Sequence, residues 1–136
     1  MLILAPIGKY SPEQARAAHS TSGQDYSVRY SLSGRPSAGP SSVGPHVDVE
    51  VQDWPSGWAK SELPSQGQGF SKNAHQNAYG ASVEERTKFG NRILFKRDAE
   101  AHYAWMSNDR IVLMKFYSVD PDEFLKKYLE KYPSTL

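Results

Sequence analysis

Between Arg110 and Pro133 the chain passes directly from a β-rich run, RIVLMKFYSV, into a segment of helical period. Phe124, Leu125, Tyr128, Leu129 and Tyr132 recur at i, i+1, i+4, i+5 and i+8, with Lys126, Lys127, Glu130 and Lys131 on the opposite side. Asp120 suits a helix cap and Pro121 the first helical position. Asp122 and Glu123 place negative charge on the first turn, and Pro133 stops the helix. Such a stripe needs a surface to cover. At about 2 kcal/mol for each large apolar side chain, its burial is comparable with the net stability of a whole domain. The helix is therefore expected to lie on a sheet as part of the core.

The strands of that sheet are read from β-branched and aromatic content and from period-two alternation. RILFK, HYAWMS and RIVLMKFYSV form a meander, with Asn108-Asp109 suited to a tight hairpin turn. The unbroken run Ile111 to Met114 suggests burial on both faces and a central place. Upstream, Tyr26, Val28, Tyr30 and Leu32 alternate with Ser27, Arg29 and Ser31, and HVDVEV from His46 to Val51 alternates again. Between these two runs, SGRPSAGPSSVGP is too rich in glycine, proline and serine for regular structure. Leu2 to Leu4 could add a short strand. SPEQ at Ser11 to Gln14 resembles a capping box and predicts a short helix to about His19, with only alanines to bury. The expected class is α+β: an antiparallel sheet of about five strands, the C-terminal amphipathic helix on one face, and a short N-terminal helix.

One domain is expected from 136 residues. The segment 53–90 is polar and rich in breakers, long enough to be a functional loop or to hide a helix, for which SVEERTKF is the candidate. Sixteen basic against fifteen acidic residues create no overall field for nucleic acid or an anionic membrane. The basic and aromatic mixture from Tyr79 to Arg97 contains acidic residues too and reads as a solvated rim. The absence of cysteine excludes disulfides and thiolate chemistry. The opening MLILAPIG breaks at Pro6, lacks a basic leader and falls far short of the ~18 residues that span a bilayer. The ending from Tyr103 to Leu136 resembles the closing elements of small exported or lipoprotein-type bacterial domains. That resemblance implies the cell envelope if a signal peptide has been removed, and the cytoplasm otherwise.

No phosphate loop, nucleophile elbow, H-E-x-x-H or EF-hand pattern occurs, so no cofactor and no dedicated metal site are expected. Two functional readings remain. In the first, the chain is a non-enzymatic binding or accessory module. It meets a protein partner or small ligand through the sheet face and the 53–90 segment, where Trp54, Trp58, Phe70 and Tyr79 offer aromatic contact. In the second, His46, Asp48 and Glu50 share one side of a strand and form the catalytic edge of a small metal-dependent or histidine-based hydrolase or nuclease, completed by His75 or His102. A sheet with one wet face produces polar rows of this kind by default, which favours the first reading.

Overall fold

The computed structural model describes residues 2–20, 23–32, 44–59, 83–97 and 100–136. Among these residues, seven strands and one helix follow in order: β1 (Tyr10–Ser20), β2 (Gly23–Leu32), β3 (His46–Asp53), β4 (Glu84–Lys88), β5 (Asn91–Arg97), β6 (Ala101–Ser107), β7 (Arg110–Tyr117) and α1 (Asp122–Lys131). The strands form one antiparallel sheet in the order β1-β2-β3-β7-β6-β5-β4. β7 is the middle strand. Its Ile111 is buried on one face, its Val112 and Met114 on the other.

Three expectations are corrected here: among the described residues the fold is mostly antiparallel sheet with one short C-terminal helix rather than α+β, the sheet has seven strands rather than about five, and there is no N-terminal helix. The SPEQ segment lies within β1, paired with β2 from Tyr10 opposite Leu32 to Ser20 opposite Gly23. An alanine-rich helix had little surface to bury, whereas a strand gains a full ladder of backbone hydrogen bonds from its neighbour. Pro12 is tolerated because β1 is an edge strand, and a register shift between Glu13 and Arg16 marks a bulge. SVEERTKF is likewise mostly strand, as β4. It pairs with β5 through a two-residue turn, Phe89–Gly90, in which both residues have positive φ (51° and 79°). Residues 2–4 are not strand.

The main core lies between the sheet and α1. Val28, Tyr30, Val47, Val49, Val51, Val112, Met114 and Phe116 face Phe124, Leu125, Tyr128, Leu129 and Tyr132, all buried. Asp120 accepts a hydrogen bond from the Asp122 N–H through its side chain (3.1 Å), fixing the helix start. At the other end, the Trp105 indole donates to the Tyr132 carbonyl (2.8 Å). Beyond the helix, Ser134 N–H reaches Asn91 (3.0 Å) and Thr135 N–H reaches the Met106 carbonyl (2.7 Å), so the chain end is stitched across β5 and β6.

Laid flat, seven strands would span roughly 29 Å from β1 to β4. Yet the turn entering β1 and the last residue of β4 both reach the first turn of α1. Gly8 (φ +59°) lies directly against the Glu123 carboxylate, and Lys88 Nζ pairs with Asp122 at 3.2 Å. The sheet therefore curls around the helix.

On the opposite face a smaller cluster gathers Ala59, Leu94, Ala104 and Ile111, with Trp54, Val83, Met106 and Leu113 packed against it. Ala59 and Val83, on either side of residues 60–82, thus lie on the sheet face away from α1. Trp54 N–H donates to the Asp109 carbonyl and Gly57 N–H to the Asp109 carboxylate, tying the exit from β3 to the β6–β7 turn. No helix among the described residues is long and apolar enough to cross a membrane.

Candidate functional site

Alternation along β3 sends Val47, Val49 and Val51 to α1 and His46, Asp48, Glu50 and Gln52 to the face away from α1. Register then extends each polar residue into a row across the sheet. One row runs Glu13, Arg29, Asp48, Lys115, His102 and Lys96 from β1 to β5. The next runs Arg16, Ser27, Glu50, Leu113 and Ala104. Where these rows meet there is a depression of about 480 Å³, lined on this face by Arg16, Arg29, Asp48, Glu50, His102 and Lys115, with Ser27 and Leu113 between them.

Both carboxylates in it, Asp48 and Glu50, have defined partners, as does Glu13 at the β1 end of the first row. Asp48 takes two hydrogen bonds from Arg29, Nε to Oδ1 at 2.8 Å and Nη2 to Oδ2 at 3.2 Å. This half-buried pair raises the arginine's pKa, chiefly through the hydrogen bond to Asp48. Glu50 accepts from the Gln52 amide, whose oxygen accepts from the Trp54 indole (3.0 Å). Gln52 is buried, so the three side chains form a fixed relay along β3. Glu13 accepts from the Ser31 hydroxyl at 2.7 Å.

The three residues of the proposed catalytic edge do not converge. His46 is 8% exposed, stacked on Tyr117 (centroids 4.0 Å, planes 18° apart), and its Nδ1 lies 2.8 Å from the Gly44 carbonyl. A carbonyl only accepts, so Nδ1 carries the proton. Asp48 and Glu50 line the depression together with His102, while His46 sits beyond its margin. His102 lies two strands across and two residues along from His46, roughly 12 Å by Cα spacing. The His102 Nε2 faces Glu100 at 3.8 Å. No group of three His, Asp or Glu residues able to hold a metal ion occurs among the described residues.

Of the aromatic set, Trp54 is half-buried and committed to Gln52 and the second cluster, whereas Trp58 is 52% exposed. His75, Phe70 and Tyr79 lie outside the described residues.

Sequence reasoning missed Arg16, Arg29, Lys115 and Leu113. Arg29 and Lys115 each interrupt an otherwise apolar or hydroxylated strand pattern, and that interruption marks the wet face. What one sequence does not carry is the register that sets both beside Asp48. No family model matches this chain, and no curated protein or solved structure matches it either.

Proposed function

We propose that the protein is a non-enzymatic binding module that uses the sheet face away from α1, together with the 53–90 segment, to hold a ligand. The observation that carries this reading is the 480 Å³ depression at the meeting of the two cross-strand rows, a volume ordinary for a small-molecule site. Its carboxylates are engaged. Asp48 is held by Arg29 and Glu50 by Gln52, an arrangement that favours a rigid, preformed surface over proton transfer. Exposed Trp58 would add an adaptable aromatic contact.

An NMR screen with a mixed-charge fragment library tests the reading. Fragments of any charge that shift amides of Ser27, Asp48, Leu113 and Lys115 support it. Hits confined to other surfaces, or none at all, overturn it. The hydrolase alternative has its own check in thermal unfolding with zinc, manganese and nickel. We expect no rise in Tm with any of the three at millimolar metal, where a site of micromolar affinity would add about 4 kcal/mol.

A further inference from the structure

We propose that the depression selects a small organic oxyanion, a carboxylate or phosphate carrying an apolar portion, with Arg16 and Lys115 as its charged anchors and Leu113 as the floor under its apolar part. This rests on the binding reading above and names the class of ligand.

The selection follows from charge placement. Arg16, Arg29 and Lys115 bring three permanent cations to the depression against the two carboxylates of Asp48 and Glu50. Arg29 is committed to Asp48. Among the described residues, neither Arg16 nor Lys115 has a carboxylate partner. Lys115 has only a distant ring contact, Nζ 5.9 Å from the Tyr117 centroid. It stands between Asp48 and His102 in its row, half-buried in the middle strand of the sheet, and so lines the depression instead of a sheet edge.

Arg16 has an independent structural mark. It is the first residue in register after the β1 bulge, and bulges of this kind re-aim side chains at sheet edges. Without the irregularity between Glu13 and Arg16, alternation would place the residues after it on the other face. With it, Arg16 falls opposite Ser27, in the row that leads through Glu50 to Leu113. The small Ser27 side chain leaves the space over which the guanidinium can extend. Cations thus approach from two sides, and Leu113, half-buried between Glu50 and Ala104, supplies an apolar floor. An oxyanion between the two would gain charge-assisted hydrogen bonds, while its apolar part would cover Leu113.

Titration of the isotope-labelled protein with hexanoate, hexyl phosphate, hexanamide and inorganic phosphate tests this. Hexanoate or hexyl phosphate should shift the amides of Arg16, Ser27, Leu113 and Lys115. Hexanamide, with the same chain but no charge, and inorganic phosphate, with charge but no chain, should each bind at least tenfold more weakly. Whichever of the two charged alkyl probes binds tighter identifies the headgroup. Arg16→Gln and Lys115→Gln should each weaken that probe about tenfold. Arg16→Lys should recover part of the loss, and unchanged Tm would show that the fold is intact. The proposal is overturned if neither charged alkyl probe shifts these amides at 10 mM, if hexanamide binds as well as hexanoate, or if the glutamine variants bind equally well. Neutral or cationic fragments landing in the depression while the anions stay silent would sink this inference and leave the binding-module reading standing.

Discussion

At the scale of single residues, three groups close a ring of hydrogen bonds far apart in the chain. Ile3 N–H donates to the Tyr128 hydroxyl (3.2 Å), Tyr128 donates to Tyr30, and Tyr30 donates back to the Ile3 carbonyl. The direction of the middle bond follows because the single proton of Tyr30 is already given to Ile3. Every polar atom in this buried corner is thereby satisfied. Burial pushes the pKa of both phenols upward, and Tyr132 follows for the same reason. The unfolded chain releases these protons near the ordinary tyrosine value of 10.0 while the folded chain keeps them. Their stabilising contribution is therefore complete below pH 10 and is lost as pH rises through the folded values. Urea midpoints measured from pH 8 to 11.5 should stay level and then fall, by about 1.4 kcal/mol per pH unit for each retained proton. Tyr30→Phe should flatten that fall and cost about 1–3 kcal/mol at neutral pH, since it leaves the Ile3 carbonyl without its donor. Gly8 is a second sensitive position. Its φ of +59° and its contact with Glu123 make Gly8→Ala destabilising by about 1 kcal/mol or more, readable as a lower urea midpoint at unchanged slope.

At the scale of elements, α1 and β7 were legible because each carries its own signal: a capped helical stripe in one, and in the other an apolar run too long for a strand with one wet face. The reading failed where local and tertiary preferences disagree. Ser11 to Gln14 has good helix-start chemistry, but Ala15, Ala17 and Ala18 offer no stripe, and the available edge of β2 decides for strand. Glu84 to Lys88 is charged enough for a solvated helix, yet Phe89–Gly90 turns it back onto β5. Of the depression, Asp48 and Glu50 were visible on their strand, but the cations beside them belong to other strands, and pairing register is a long-range property. Leu125, fully buried at the centre of the helix stripe, gives the plainest test of the main core: Leu125→Ala should cost about 3–5 kcal/mol. In the sequence the segment after the helix signals only a stop, but it is fastened by Trp105, Asn91 and Met106. Trp105→Phe keeps the bulk of the ring and removes the donor to Tyr132. It should cost about 1–3 kcal/mol and raise amide exchange in the last turn of α1 before other regions respond.

At the scale of the whole molecule, the curl of the sheet makes the helix something that β1 and β4 share. A chain stopped at Phe124 would retain every strand and lose the surface that Val28, Val47, Val49, Val51, Val112 and Met114 are buried against. Such a truncation should bind the dye ANS and lose its near-ultraviolet circular dichroism while keeping strand signal in the far ultraviolet. A further consequence concerns synthesis on the ribosome. Ile3 and Tyr128, which bond to one another, are 125 positions apart. The clasp at Asp122 and Glu123 is made by residues translated after every strand it draws together. The emerging polypeptide must therefore wait with its greasy inner wall bare until those codons have been read and their product has cleared the exit tunnel. That interval, more than any moment in the finished protein's life, is when a chaperone would have most to cover.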